Sequence, residues 1–253
     1  MFPISIHEEP ALSPVAFELA VQDTHGLEVA ARLGVDRIEL CSALALGGVT
    51  PSLAFVETAV ATPGIPPVHV LIRPRHGGFT YSADETALII QDVRHALRAG
   101  ATGVVVGGVR SGAVDTDLVK RVLDAAGPAP VTFHRAFDTL GDPVTAVETL
   151  AALGVRRILT SAGATSVADA LPALTALVTT AGPHIEIMAG GGVDAALVPA
   201  LLRTGVPAIH ASAKRLVPEE VTVGLGTSSP AGAGGRESTD YDLAAALLAA
   251  VRT

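Results

Sequence analysis

The chain has 253 residues, of which 49% are hydrophobic, and it carries a formal net charge of −8 with a single cysteine. Its length suits one large α/β domain with a sizeable aliphatic core. The acidic balance and the scarcity of aromatic side chains disfavour a nucleic-acid partner, because phosphates need basic groups and unpaired bases need stacking platforms. The lone Cys41 excludes an internal disulfide and any CxxC metal motif.

The first 13 residues are predicted to be an N-terminal extension that precedes the folded domain. They lack both the basic start and the apolar run of a secretory signal peptide. No later window is apolar for long enough to form a membrane helix, and the cysteine usage fits a reducing compartment. We therefore expect a cytoplasmic protein without a membrane partner.

Eight short apolar segments alternate with helical segments along residues 14–253. Four of these predicted strands follow a proline: Phe17–Val21, Val68–Ile72, Val131–His134 and Ile185–Met188. The other four follow a glycine that ends an Ala/Leu-rich helix: Gly34, Gly100, Gly154 and Gly205. Strict alternation implies a parallel sheet, and eight units predict an α/β fold, a single (β/α)8 TIM barrel. An open doubly wound sheet is the alternative, but the repeat and the lack of an early GxGxxG turn disfavour it.

Residues that favour helix starts precede the helical segments. Ser82 with Glu85 forms a capping-box pattern. Thr50-Pro51 and Asp142-Pro143 each pair an N-cap residue with a proline at the first helical position. The remaining helices are predicted to open at Asp23, Asp115, Ser166, Asp194 and Thr239. Residues 216–237 contain PAGAGGR and predict a flexible loop before the last helix.

Alternation along each strand predicts which side chains enter the barrel. In DRIELC the apolar Ile38 and Leu40 face the helices, so Arg37, Glu39 and Cys41 point inward. The same parity selects inward residues on five further strands: Glu18 and Ala20, His69 and Arg73, Thr132 and His134, Glu186 and Met188, and His210 and Ser212. Active sites of barrels lie at the C-terminal ends of the strands.

An aliphatic barrel needs no polar groups at this rim for packing, and buried charges are costly unless they are paired. The polar or sulfur-bearing residues predicted there are Glu18, Glu39, Cys41, Arg73, His134, Arg135, Asp138, Met188 and His210. Their convergence predicts a ligand site. Structural ion pairs, for example of Glu39 with Arg37 or Arg73, are the alternative.

Two kinds of chemistry are compatible with these residues. Glu39, His134 and His210 are candidates for general acid–base catalysis, with Asp138 orienting His134 or closing the rim. The candidates for binding a small anionic or phosphorylated metabolite are Glu18, Arg73, Arg135, Gly190, Gly191, Gly192 and Ser212. The glycines could instead form only a tight turn before Asp194. A divalent ion on Glu18, Glu39 and His134, and a non-catalytic scaffold, are weaker alternatives.

Several stretches together resemble the CutC family of copper homeostasis proteins. They are GVDRIELCSALALGGVTPS, IRPRHGGFTYS, PAPVTFHRAFDTLGDP, RRILTSAGA, IEIMAGGGV and IHASAK. They run in order from about Glu18 to Lys214. The resemblance implies a (β/α)8 barrel, a cytoplasmic location, a homodimer and a link to copper tolerance and Cu(I) binding.

One departure from the family bears on copper. The family's copper proposals rest on a cysteine in an EVC motif on strand 1 and a second in ELC on strand 2. Here Cys41 keeps the second, but Ala20 replaces the first. A two-thiolate Cu(I) site therefore cannot form within one chain. The remaining candidate ligands are Cys41, Met188 and His210. A buried core position is at least an equal alternative for Cys41 and the favoured one for Met188. The expected partner is thus a copper ion or a small anionic ligand, and whether the protein is an enzyme stays open.

Overall fold

The computed structural model describes residues 15–221 and 232–253 and shows a closed barrel of eight parallel strands. The strands are β1 (Ala16–Val21), β2 (Arg37–Leu40), β3 (Val68–Leu71), β4 (Gly103–Val106), β5 (Val131–Phe133), β6 (Arg157–Thr160), β7 (Glu186–Ala189) and β8 (Ala208–Ala211). Each pairs with the next along the chain, and β8 pairs with β1 through Phe17 and Ile209, which closes the barrel. The predicted (β/α)8 fold is confirmed.

Helices follow the strands and cover the outer face of the barrel. They are α1 (Thr24–Leu33), α2 (Leu53–Ala61), α3 (Ala83–Arg98), α4 (Thr116–Ala126), α5 (Pro143–Leu153), α6 (Leu171–Ala181), α7 (Val198–Arg203) and α8 (Tyr241–Val251). The main hydrophobic core lies between the two layers, where Phe17, Ile38, Val104 and Ile158 are fully buried. The apolar strand positions therefore face the helices, and the alternate positions are left to line the barrel interior.

The four repeated glycines lie at or just past helix ends, as the sequence predicts. Gly34, Gly100, Gly154 and Gly205 all have positive φ angles, of 63°, 101°, 90° and 81°. Residues with a Cβ atom adopt this conformation at a cost, so glycine is favoured where a helix must stop and turn into a strand. The repeat thus marks the even-numbered strands from the sequence alone.

Half of the predicted helix starts are confirmed. Asp23, Asp115 and Asp142 each accept a hydrogen bond from a backbone N–H in the first turn, and Ser82 with Glu85 forms a complete capping box. These side chains satisfy amide groups that the helix itself leaves without acceptors.

The other predicted starts are corrected by the structure. Helix α2 is capped by Ser52, because the Thr50 hydroxyl accepts from the Arg73 backbone N–H at 2.8 Å and is fixed to the end of β3. Asp240 caps α8, since Thr239 still belongs to a β-strand. Ser166 and Asp194 cap short turns, and α6 and α7 begin a few residues later.

Residues 216–237 were predicted to form a flexible loop. Where the structure describes this segment, it shows an antiparallel hairpin of Lys214–Val221 with Gly232–Thr239. Glycine at position 235 allows the two strands to approach closely, because a Cβ there would lie 2.5 Å from the Val217 carbonyl oxygen. Residues 222–231, the centre of that predicted loop, and the predicted extension 1–13 lie outside the described residues, so mobility stays a prediction. A smaller hairpin, Val109–Arg110 with Ala113–Val114, follows β4.

Candidate active site

A cavity of about 360 Å³ opens at the C-terminal end of the barrel. Its floor is formed by strand residues, and its walls by the loops after β2, β3 and β5. The lining residues are Glu39, Leu44, Leu46, Gly47, Leu71, Arg73, Phe79, His134, Arg135, Asp138, Thr139, Leu159 and His210. The volume suits a small metabolite, and the mixture of apolar walls with a few polar groups is typical of a ligand pocket.

Glu39 and His210 form an acid–base pair on the floor of this cavity. Glu39 Oε2 lies 3.8 Å from His210 Nε2, although the two residues are on strands separated by β1. Burial raises the pKa of Glu39 to about 7, and the nearby charge of Glu18 adds to the increase, whereas His210 and Arg37 oppose it. A carboxyl group that titrates near neutral pH can act as either a proton donor or a proton acceptor.

Glu18 holds His210 in place from below. Its carboxylate is fully buried, accepts a hydrogen bond from His210 Nδ1 at 2.8 Å and is paired with Arg37. Burial by itself would raise the pKa of Glu18, but the hydrogen bond with His210 and the charge of Arg37 outweigh it and hold that pKa well below its usual range. Burial would likewise lower the pKa of His210, yet the two carboxyl groups raise it. With Nδ1 held by Glu18, His210 presents Nε2 to Glu39, and the two carboxyl groups favour the protonated form of its ring.

Beneath this pair, an ion network fills the interior of the barrel. Glu186 accepts two hydrogen bonds from Arg157, one of them from Nη2 at 3.0 Å, and lies 3.8 Å from Arg37. Arg157 also donates to Thr132 Oγ1 at 3.1 Å. Together with Glu18 the network contains two cations and two anions, so its charges balance. These inward positions agree with the alternation predicted from the sequence.

Arg73 ties two loops of the cavity wall together. Its Nη1 donates to the carbonyl oxygens of Leu46 and Gly48 at 3.0 and 2.8 Å, and its Nη2 donates to that of Gly77 at 2.9 Å. The guanidinium carbon lies 5.1 Å from the centre of the Phe79 ring. The residue is buried, with a relative exposure of 6%. Because three carbonyl groups accept hydrogen bonds from it, the guanidinium is fixed in position.

His134 lies at the end of β5 and lines the cavity, as the alternation predicts. Its Nδ1 accepts from the Ala136 backbone N–H at 3.0 Å. Burial, together with the charge of Arg73, lowers the pKa of His134 to about 3. The ring is therefore neutral at physiological pH. Gly107, which directly follows β4, makes room for the ring, because a Cβ at this position would lie 2.5 Å from His134 Nδ1.

Asp138 lines the cavity but does not contact His134, so the suggestion that it orients this histidine receives no support from the geometry. Its carboxylate accepts from Arg135 Nε at 2.7 Å, from Ser161 Oγ at 2.9 Å and from the Gly163 backbone N–H at 3.1 Å. It also accepts from Thr160 Oγ1. With its lone pairs engaged, Asp138 fixes Arg135 and the loop after β6. Its catalytic role stays a prediction.

The glycines predicted to bind an anion are not among the residues that line the cavity, and neither are Glu18 and Ser212. The Gly190 N–H donates to the Thr160 carbonyl at 2.9 Å in the sheet. Gly191 and Gly192 have φ angles of 103° and 75°, and side chains there would press against Arg135 and Ser166 respectively. These contacts support the tight-turn alternative, and anion binding at the three glycines stays a prediction.

The candidate copper ligands lie in separate surroundings. Cys41 is fully buried against Leu71 and Val105, and burial raises the pKa of its thiol well above the usual value, with the charge of Glu39 adding to the effect. Cu(I) binds the thiolate, so this environment disfavours binding.

Met188 and His210 are engaged elsewhere. The Met188 sulfur lies 3.3 Å from Arg37 Nη2, a cation that repels a metal ion, and His210 Nδ1 is held by Glu18. Across residues 15–221 and 232–253, no group of three or more His, Cys, Asp or Glu side chains is arranged to hold a metal ion. The present arrangement does not fit a Cu(I) site on these three residues.

The sequence reasoning missed several residues that line the cavity: Phe79, the 3-10 turn Leu44–Leu46 with Gly47, and Leu71, Thr139 and Leu159. Phe79 is an aromatic residue inside the polar, glycine-bearing stretch RPRHGGFTYS, and that contrast was the available signal. Nothing in the sequence alone indicates that Leu44 and Leu46 fold over the barrel mouth, because an exposed and a cavity-facing leucine have the same local pattern.

The fold and the cavity define a (β/α)8 barrel protein whose C-terminal rim holds a cavity lined by carboxyl, imidazole and guanidinium groups. The CutC family model matches residues 15–215. The chain belongs to the CutC family.

Curated relatives support this assignment over most of their length. Family protein CutC from Agrobacterium fabrum is 42% identical over 232 residues, which cover 90% of each chain. The protein of the same name from Glaesserella parasuis is 40% identical over 218 residues, 84% of this chain and 89% of the relative. A solved structure from Streptococcus agalactiae, described as a CutC protein of copper homeostasis, is 32% identical with a TM-score of 0.73, covering 78% of this chain and 97% of that one.

Proposed function

We propose that the protein is an enzyme that moves protons on a small anionic metabolite bound in the rim cavity. The observation that carries this proposal is the Glu39–His210 pair on the cavity floor, where a carboxyl group with a pKa of about 7 faces an imidazole whose pKa is raised by the hydrogen bond with Glu18. A carboxyl group that titrates near neutral pH beside an imidazole is a suitable pair for general acid–base catalysis.

The charges of the wall support an anionic substrate. Arg73 and Arg135 both line the cavity, and each is oriented by hydrogen bonds to neighbouring groups. Fixed guanidinium groups bind carboxylate or phosphate oxygens without the entropic cost of ordering a flexible side chain. Glu39 would act as the base and His210 as the acid, while the arginines hold the substrate between them.

The test incubates the purified protein with the small-molecule fraction of a bacterial extract and follows depletion and formation of metabolites by mass spectrometry. We expect an anionic metabolite to be converted by the wild type and by the control Glu57→Gln, which alters an exposed carboxylate on α2. Conversion should fall by about 100-fold or more in Glu39→Gln, the usual effect of removing a general base. Unchanged conversion in Glu39→Gln, or no conversion by any variant, would overturn the proposal.

Copper handling is the second candidate, because the Streptococcus agalactiae relative is described as a copper homeostasis protein. In this chain such a role would require Cys41 to leave its apolar cluster and lose its proton. Anaerobic Cu(I) competition against a chelator tests it with the wild type and Cys41→Ser. We expect weak binding that Cys41→Ser leaves unchanged; sub-nanomolar affinity that the substitution abolishes would establish the copper role instead.

A cytoplasmic location and a homodimer also remain proposals that rest on the family resemblance. Among the described residues no helix is both long and apolar enough to span a bilayer. Light scattering on the purified protein measures the oligomeric state, and a monomer at all concentrations would contradict the dimer.

A further inference from the structure

Two N–H donors in the cavity wall lack an acceptor within residues 15–221 and 232–253. They are His134 Nε2 and Arg73 Nε, and both atoms are buried. Each belongs to a residue with only 6% relative exposure that lines the cavity. A buried donor without a partner is costly, so the retention of two such groups beside one cavity indicates that a ligand supplies the acceptor.

The hydrogen bonds of His134 determine which ring nitrogen carries the proton. Because the Ala136 backbone N–H donates to Nδ1, that nitrogen must keep its lone pair, and Nε2 is the protonated nitrogen of the neutral ring. The ring is held where it is, since it packs into the space that the missing side chain of Gly107 leaves. His134 is thus a fixed, neutral donor rather than a base.

Arg73 is equally constrained. Its two terminal nitrogens donate three hydrogen bonds to carbonyl groups, so Nε–H and one Nη2–H are the donors that these carbonyls do not engage. The Phe79 ring lies beside both groups, 5.0 Å from the His134 ring centre and 5.1 Å from the Arg73 guanidinium carbon. Both groups therefore lie beside the same aromatic side chain in the wall, and hydrogen bonds to neighbouring backbone groups fix the position of each.

We propose that His134 Nε2 and Arg73 Nε form an oxyanion site, and that the substrate is a small carbonyl compound that is deprotonated at the carbon next to its carbonyl group. The proposal rests on the proposed function and adds its substrate class. Preorganised donors contribute most where negative charge develops during the reaction. A neutral imidazole meets this need without carrying a charge of its own, which distinguishes the site from one built for a permanent dianion.

The proton and electron balance is complete without a further reactant. The Glu39 carboxylate takes the proton from the α-carbon as that C–H bond breaks. The bonding pair forms the carbon–carbon double bond of an enolate, and the carbonyl π pair moves to the oxygen, where His134 and Arg73 donate hydrogen bonds. Protonation of the enolate at carbon by Glu39 returns the abstracted proton and restores the charge with which the substrate entered. Protonation at oxygen by His210 gives the enol instead, and transfer of the proton from Glu39 to His210 Nε2, 3.8 Å away, then restores both side chains.

The binding test compares two compounds. Glycolohydroxamate is a planar mimic of an enediolate, whereas glycolate is a related anion that does not mimic an enediolate. We expect the wild type to bind the hydroxamate at least about 10-fold more tightly, because enzymes bind transition-state analogues more tightly than ground-state compounds. His134→Gln, which keeps an N–H near the position of Nε2, should retain the preference. His134→Ala should lose about 10-fold in hydroxamate affinity, whereas the exposed control His184→Ala should not.

A second measurement uses the wild-type protein, so its result does not depend on whether the variants fold. In a histidine-selective ¹H–¹⁵N spectrum, glycolohydroxamate should shift the Nε2–H proton of His134 downfield, as expected for a new hydrogen bond to a charged oxygen. Equal affinity for the two probes, or an unshifted His134 resonance with bound hydroxamate, would overturn the inference.

Turnover in D₂O separates this inference from the proposed function. For a metabolite whose conversion depends on Glu39, we expect deuterium to enter at the carbon next to a carbonyl group. Glu39-dependent conversion without deuterium on carbon leaves the acid–base function standing and refutes the enolate chemistry. A hydroxamate preference that needs His134, without Glu39-dependent conversion, supports the oxyanion site and refutes the proposed base.

Discussion

Glu39 is a carboxyl group whose protonation links the chemistry of the cavity to the stability of the fold. Its pKa rises from 4.5 to about 7 because burial disfavours the charged form. Between these two values the folded state binds more protons at Glu39 than the unfolded state does. The stabilising contribution is therefore fully present below the unfolded pKa and is lost as the pH rises through about 7.

Replacing Glu39 by glutamine should make stability less dependent on pH in this window. The wild type loses on the order of 1–3 kcal/mol between about pH 5 and pH 8 through this group, whereas the amide does not titrate. Denaturant unfolding at the two pH values should show that Glu39→Gln gains stability relative to the wild type at the higher pH. The exposed control Glu57→Gln should show no such change, and an equal difference at both pH values for Glu39→Gln would contradict the raised pKa.

At the scale of secondary-structure elements, the end of β4 packs closely against the turn after β5 because residue 107 is a glycine and has no side chain. A Cβ at Gly107 would lie 2.5 Å from His134 Nδ1 and 2.9 Å from the Ala136 Cβ. The position of His134 thus depends on a neighbouring strand as well as on its own. Such overpacking of a buried site typically costs about 1–3 kcal/mol.

Gly107→Ala should therefore destabilise the protein by about 1–3 kcal/mol and displace the His134 ring. Unfolding curves give the first quantity, and the ¹⁵N shifts of the His134 ring nitrogens give the second. Gly78→Ala is a matched control, because a Cβ at Gly78 meets no atom within 4 Å and its φ angle is not in the left-handed region. If Gly107→Ala changes the free energy of unfolding no more than Gly78→Ala does, β4 does not pack closely against His134.

Across the molecule as a whole, the ion network joins strands from both sides of the barrel. Glu186 on β7 is paired with Arg157 on β6 and lies near Arg37 on β2. Because the two arginines are buried inside a closed sheet and the Glu186 side chain is only 16% exposed, each charge depends on its partners for compensation. The network therefore makes the interior intolerant of single changes more than it adds net stability.

Arg157→Met should destabilise the protein by about 3–5 kcal/mol, because it leaves the Glu186 carboxylate with Arg37 at 3.8 Å as its remaining cation. The double variant Arg157→Met with Glu186→Leu should recover a substantial part of that loss, since no unpaired charge remains. A double-mutant cycle measured by denaturant unfolding gives the coupling between the two residues. Strictly additive effects would show that the pair is not coupled in the folded protein.

The local determinants of the barrel can be read directly from the chain. The four helix-ending glycines, the caps at Asp23, Ser82, Asp115 and Asp142, and the alternation in DRIELC depend on residues a few positions apart. Such short-range patterns are set by backbone conformation and by the period of two in a strand. They are sufficient to predict the eight strands and the inward placement of Glu18, Glu39 and His210.

Pairings across the barrel are not set by short-range patterns. Whether Asp138 contacts His134 or the loop after β6 depends on strand register and side-chain rotamers, and the structure shows the second arrangement. The start of α2 at Ser52 was missed for a similar reason, because Thr50 is held by Arg73 from another strand. Competing hydrogen-bond partners that are distant in sequence decide these cases.

The amino-acid sequence alone specifies the fold, the family resemblance and the set of polar side chains that enter the barrel, since closure of an eight-stranded sheet leaves each strand only two faces. Which of these side chains pair with one another is decided only in the folded molecule. Folding separates Cys41 from Met188, buries Glu18 beneath His210, and leaves His134 Nε2 and Arg73 Nε as donors at the cavity wall. Those outcomes depend on which atoms compete for the same partners in three dimensions, and that competition is not encoded in any single segment.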